Sequence, residues 1–180
     1  MLKWWDVLPE DERQQWALDP FVGVGPLHFG MSPRELSEAL SGVTTESQRQ
    51  TLRRSAGDAF PMVVDGTYQK FGLKLYYRKE RLAGVVVDAL RGPQVLADGM
   101  PLVGRIPSVL ERWMIDRAEV REPHAELMYM DAGVPASETL GAVIDVQRAG
   151  DRLLTRPVLV PREAMDDLPH FLPREVWSVC

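Results

Sequence analysis

Apolar residues recur along this chain with two different periods. At 36–40, Leu36, Ala39 and Leu40 fall at three- and four-residue steps, one face of a helix. Ser32 stands at the N-cap of that helix, Pro33 at its first position and Glu35 three residues after the serine. That spacing lets the carboxylate reach back to the cap amide. Gly42 is placed to end the helix. A second helix is predicted from Pro107 to about Asp116, with Val109, Leu110, Trp113 and Met114 on its apolar face. The other period is two. Phe71 to Tyr77 alternates, and Leu82 to Leu90 is rich in β-branched residues, so both predict strands. Phe60–Val64 predicts a strand stopped by the turn dipeptide Asp65-Gly66. Val43 to Asp58 lacks periodicity and is expected to be a loop. Later, Ala125–Met130, Leu140–Arg148 and Leu153–Val160 predict strands, the last two forming a hairpin about 149–151. Pro157 inside the last strand predicts an edge position. Near the start, Pro9 followed by three acidic residues predicts a short helix to Leu18.

The order of these elements suggests a duplication. Gly23-Val-Gly-Pro-Leu-His-Phe-Gly-Met-Ser-Pro leads into the first helix. Gly99-Met-Pro-Leu-Val-Gly-Arg-Ile-Pro leads into the second. Pro26-Leu27 matches Pro101-Leu102, and Gly30-x-x-Pro33 matches Gly104-x-x-Pro107, with a one-residue gap. The expected fold is α+β: one domain of two helix-plus-antiparallel-meander units, residues 21–91 and 92–160. Residues 1–20 and 161–180 are expected to be terminal extensions, the latter closing one end as a short helix.

Composition narrows the function classes. The 180 residues are 45% hydrophobic and 26% charged, an ordinary globular balance. A net charge of −5 argues against a nucleic-acid partner. No apolar run approaches the roughly 20 residues that cross a bilayer. The single cysteine, Cys180, permits no internal disulfide, and the first residues lack an apolar signal core. The expected compartment is the cytoplasm. A C-terminal prenylation box would need its cysteine where Trp177 stands.

No motif carries catalysis. His28, His124 and His170 are far apart, and none has a second ligand at metal spacing. Glu126 shares a strand face with His124, which makes two ligands and no third. There is no Gly-x-Ser-x-Gly elbow, dinucleotide fingerprint or phosphate loop. Glu35 is accounted for by capping, Glu38 by solvent, and Asp166-Asp167 reads as an acidic turn. No catalytic, cofactor or metal residue is assigned. What remains is surface. Tyr76 and Tyr77 point to opposite faces of their strand, so one is expected to face outward. Trp4, Trp5, Tyr68, Tyr77, Asp166 and Asp167 are the candidate partner-binding residues, aromatics beside acids.

The stretch Gly-x-Gly-Pro-Leu-x-Phe-Gly-Met-Ser-x-x-Glu-Leu resembles the opening of small bacterial helix-plus-meander proteins. The outer-membrane assembly lipoprotein BamE and the tandem-repeat β-lactamase inhibitor proteins are similar in layout, as are immunity proteins encoded beside polymorphic toxins. The resemblance covers about twenty residues and a looser second copy. It implies a fold and a binding role and supplies no catalytic residue. The expected function is therefore non-enzymatic: a cytoplasmic inhibitor of a toxin domain, monomeric or weakly dimeric, with an acidic aromatic surface suited to a basic target. The alternatives are a ligand-binding or enzymatic site between the units, and a scaffold that self-associates through a sheet edge.

Overall fold

The computed structural model describes residues 3–41, 51–54, 63–68, 71–121 and 127–177, with backbone alone for 51–54, 63–68 and 121. A 3-10 turn at Glu10–Glu12 precedes strand β1 (Gln15–Asp19). A short hairpin follows, β2 (Gly23–Val24) and β3 (Leu27–His28), then helix α1 (Pro33–Ser41). Four strands come next: β4 (Thr51–Arg54), β5 (Val63–Tyr68), β6 (Leu73–Arg78) and β7 (Arg81–Val87). The same order then returns. Hairpin β8 (Gln94–Ala97) and β9 (Met100–Pro101) leads to helix α2 (Pro107–Arg121) and to four strands. These are β10 (Met128–Met130), β11 (Val134–Ser137), β12 (Ala142–Ala149) and β13 (Arg152–Leu159). A 3-10 turn (Arg162–Asp167), one helical turn α3 (Leu168–Phe171) and a second 3-10 turn (Arg174–Trp177) close the described chain.

The positions matched between the copies serve the same local ends. Leu27 and Leu102 are both fully buried. Gly30 and Gly104 both take positive φ, 91° and 69°, a conformation open to glycine. Pro33 and Pro107 each occupy the first helical position, where the missing N–H costs nothing. The cap of α1 is reciprocal: Glu35 N donates to Ser32 Oγ at 3.2 Å, and Ser32 N donates to Glu35 Oε2 at 2.7 Å. Hydrogen bonding by Ser32 to the carboxyl, from its backbone N–H first and its hydroxyl second, holds Glu35 below its usual range. A depressed folded-state pKa stabilises above the unfolded pKa and is lost as pH falls through the folded one. Carbon-detected NMR titration is expected to show Glu35 protonating below the usual glutamate range, with the Ser32 amide shift following it. The C-cap position, Gly42, lies outside the described residues.

Two sheets carry the body. The eight-stranded sheet has the order β10-β11-β12-β13-β7-β6-β5-β4 and is antiparallel throughout. Its halves meet through the last strand of each unit, with Val158 opposite Val86 and Leu159 opposite Val85. The five-stranded sheet has the order β3-β2-β1-β8-β9. In it β1 joins the two entry hairpins, antiparallel to β2 and parallel to β8. Between the layers lies the main core, where Trp16, Leu36, Leu75, Tyr77, Val85, Leu110, Met114 and Leu159 interlock.

Several expectations are corrected. Gln15–Asp19 is a strand, not the end of a helix, because Trp16 is buried while Gln15 and Ala17 are exposed, the period of a strand. Gln15–Asp19 thus belongs to a sheet, and β1–β8 supplies a parallel pair where antiparallel pairing was expected. Asp65-Gly66 does not turn; it continues β5, paired with Tyr76 and Leu75. Thr51–Arg54 is a strand inside the expected loop, and β8 and β11 were not foreseen. Pro157 is not on an edge strand, since β13 lies between β12 and β7. The proline is tolerated because pairing to β7 covers only Val158 and Leu159, so its missing N–H takes nothing from that ladder. On α2, Leu110 and Met114 are buried and Trp113 packs against the core, but Val109 is exposed.

Both faces of strands β6, β7, β12 and β13 are covered. The outer face buries Tyr76, Val86, Val143 and Val158 beneath Ala164, Leu168, Leu172 and Val176 of the C-terminal segment. Neither Tyr76 nor Tyr77 therefore faces outward; each is 1% exposed.

Candidate functional site

The largest buried polar side chains among the described residues tie separate parts of the chain together. Arg13 is the largest case. Its Nε donates to Leu8 O at 3.2 Å, Nη1 to Gly92 O, and Nη2 to Ala89 O at 2.7 Å and Leu90 O at 3.3 Å. Burial lowers its pKa, opposed by the nearby charges of Glu10 and Asp88. The guanidinium ties the N-terminal segment to the linker between the units. Gln94 is fully buried; its amide donates to Val103 O and to Glu10, and its oxygen accepts from Val103 N at 2.8 Å. Asp145, also buried, pairs with Arg156 at 2.8 Å, and Arg156 donates to Val176 O at 2.9 Å, under the C-terminal segment. Arg117 bridges Asp98 and Thr139, both at 2.8 Å, beside a shallow depression lined by Met114, Leu127 and Leu140. Among the described residues these constellations tie one part of the chain to another, and none sets an acid and a base around a cavity.

Metal ligands are not brought together: among the described residues no three His, Cys, Asp or Glu side chains cluster. His28 is exposed on β3, and His170 pairs with Asp167 at 2.8 Å on the surface. His124, Glu126 and Cys180 lie outside the described residues. The junction between the two units is packed backbone to backbone. A Cβ on Gly72 would come 2.3 Å from Gly92 N, and one on Gly92 would meet Val87 at 2.5 Å.

The surface is different. Trp4 is 73% exposed and Trp5 38%. Their rings meet edge to face with centroids 5.1 Å apart, a favourable geometry for aromatic pairs. Lys3 Nζ stands 5.3 Å from the Trp5 ring centroid, within cation–π range. The backbone beneath is fixed. Lys3 N donates to Asp6 Oδ2 at 2.6 Å, Asp6 N to Lys3 O at 3.0 Å, and Leu8 N to Leu90 O at 2.8 Å. Arg91 Nη2 donates to Lys3 O at 3.4 Å, and Val7 packs on Ala89, Leu90, Ala149 and Leu154. A hydrogen-bonded turn, anchored at Val7 and Arg13, holds two tryptophans in solvent.

The other surface candidates are elsewhere. Asp166 and Asp167 are exposed on the C-terminal segment, on a different element from the tryptophans. Tyr77 is in the core and cannot touch a partner without unfolding; the side chain of Tyr68 lies outside the described residues. Tyr129 was not singled out from sequence. It is half-exposed on β10 and donates to Glu111 Oε1 at 3.0 Å. Desolvation, then that bond to a carboxylate, raises its pKa. Its immediate neighbours Met128 and Met130 turn to the opposite, inward face, and that alternation is the signal that would have marked it.

Compared by family model, by sequence with curated proteins and by fold with solved structures, the chain finds no match. No helix among the described residues is long and apolar enough to cross a membrane.

Proposed function

We propose that this chain is a non-enzymatic binding protein acting by protein–protein contact, of the immunity class that inhibits a secreted toxin in the bacterial cytoplasm. The observation that carries the binding role is the Trp4–Trp5 pair, solvent-exposed on a turn that the body holds rigid. Tryptophan is the residue most enriched at binding hot spots, and a rigid backbone lowers the entropy lost on association. The twofold hairpin–helix–four-strand order supports the inhibitor class through its likeness in layout to tandem-repeat inhibitors.

The test uses the full chain and its Trp4→Ala/Trp5→Ala variant, each immobilised in lysate of the source cell. The variant is expected to keep its thermal midpoint within the spread of surface substitutions, about ±0.5 kcal/mol. It is expected to lose a partner that the unaltered chain retains in stoichiometric amount. A partner retained equally by both chains would refute the tryptophan face. Turnover of a small molecule by the purified chain would refute the non-enzymatic reading.

A further inference from the structure

The exposed Trp4–Trp5 pair stands beside the free end of the β12–β13 hairpin. Because β7 pairs with β13 only at Val158 and Leu159, the hairpin end stands clear of the eight-stranded ladder. The Trp5 ring lies 4.0 Å from where a Cβ on Gly150 would stand, at the hairpin turn. Leu153, half-exposed, follows three residues later. Arg105 O accepts from Thr155 N at 2.9 Å and so carries the exposed Ile106 to the same hairpin. Leu153 alternates to the face opposite Leu154 and Val7, so the apolar set beside the turn is the Trp4–Trp5 pair, its rings in contact. Scattered single apolar residues need no explanation; a gathered set does.

The charge around this set has the opposite sign to the chain. Lys3 stands over the Trp5 ring, Arg91 bonds Lys3 O, and Arg148 and Arg152 flank the hairpin turn, on a molecule whose net charge is −5. Arg148 Nε donates to Gly150 O at 2.9 Å, which places its guanidinium at the turn beside Trp5. The nearby carboxylates serve inward donors. Asp6 accepts from Lys3 N, and Asp88 accepts from Leu90 N, Arg91 N and Gln147 Nε2, the last three each at 2.8 Å. Asp151, at the turn itself, is the exposed exception.

We propose that this face receives an acidic protein surface, whose carboxylates meet Lys3, Arg91, Arg148 and Arg152 around an apolar centre that takes up Trp4 and Trp5. The inference rests on the binding role proposed above and fixes the chemistry of the partner. It reverses the sign that composition alone implied, since the acidic pair Asp166-Asp167 stands on another element. Screening confines this attraction to about 8 Å at physiological salt. A basic rim can therefore act on a docked acidic partner although the whole chain is negative. Rim charges of this kind act mainly on the association rate and its salt dependence.

The experiment presents the purified full chain to a displayed random peptide library and sequences what is retained. Three variants run alongside: Trp4→Ala/Trp5→Ala, Arg148→Glu/Arg152→Glu, and Asp166→Lys/Asp167→Lys. Retained peptides are expected to combine acidic residues with aliphatic or aromatic ones. Their affinity is expected to fall roughly tenfold or more in the arginine variant, steeply with added salt, and to stay unchanged in the Asp166/Asp167 variant. Peptides lost with the tryptophans but indifferent to the arginine reversal would overturn the acidic partner and leave the tryptophan face standing. Peptides indifferent to the tryptophans, or no enrichment at all, would overturn both. Light scattering that shows a dimer dissociated by Trp4→Ala/Trp5→Ala would assign the face to a second copy and overturn the inference as well.

Discussion

Replacing Arg13 with Met is expected to destabilise the protein by about 4 kcal/mol, several buried carbonyls losing a charged donor at roughly 1–3 kcal/mol each. The thioether keeps much of the volume and the apolar stem, so the loss is one of hydrogen bonds rather than of packing. The carbonyls of Ala89, Leu90 and Gly92 would be left buried in the linker without the donor they now share. Arg13→Lys is expected to recover only part of the loss, because a single ammonium cannot span the carbonyls that the planar fork reaches. Chemical denaturation measures both. A midpoint unchanged in Arg13→Met would mean that the linker does not depend on this clamp. Because the same clamp seats the N-terminal segment, Arg13→Met is also expected to raise amide exchange in residues 3–8, out of proportion to α1.

Gly72→Val is expected to cost still more, about 5 kcal/mol, and to abolish cooperative folding if the total stability is typical. Gly72 has φ +65°, which strains any branched side chain. Its Cβ would stand 2.3 Å from Gly92 N and 2.6 Å from Gly92 Cα. Both are backbone atoms of the linker, held in turn by Arg13, so neither can swing aside. Gly99→Val makes the comparison, since Gly99 also has positive φ, +78°, but nothing stands within 4 Å of its Cβ position. That variant isolates the conformational cost, about 1–2 kcal/mol. Equal losses at the two sites, read by thermal unfolding, would show that the contact between units is not tight.

What was legible in the sequence was local. The serine, proline and glutamate that open α1 act within one turn, and their spacing alone specified the cap now seen in both of its bonds. The second unit could be matched to the first because Leu27/Leu102 and Pro33/Pro107 serve the same local roles in each. What was not legible depended on partners far along the chain. Trp16 sits in a strand because β8, with Val95 opposite it, supplies a ladder that no nearby residue announces. Tyr76 and Tyr77 do alternate, as a strand requires, but whether the second face meets water is decided by residues 164–176 folding back across it. Pro157 is tolerated in an interior strand because its pairing to β7 stops short of it, a fact of register rather than of type.

The candidate site divides in the same way. Trp4 and Trp5 were visible as aromatics outside any periodic pattern, and such residues are free of a core role. Tyr77 was placed on the surface by an alternation that did not know of the second layer. The acidic pair at 166–167 drew attention by charge, yet the exposed tryptophans have arginines of other elements for neighbours, Arg91 from the linker and Arg148 from the hairpin. No spacing in the sequence brings those residues to Trp5; the Arg13 clamp and the β12–β13 turn do.

The most direct test is fluorine NMR of the full chain grown with 5-fluorotryptophan, its five signals assigned by single Trp→Phe variants. In the free protein the Trp4 and Trp5 signals are expected to show the large solvent-isotope shift of exposed rings, and Trp16 none. With the captured partner added to saturation, the Trp4 and Trp5 signals should move and lose that shift while Trp16 stays in place. A saturated complex in which Trp4 and Trp5 keep their positions and their solvent shift would contradict the account.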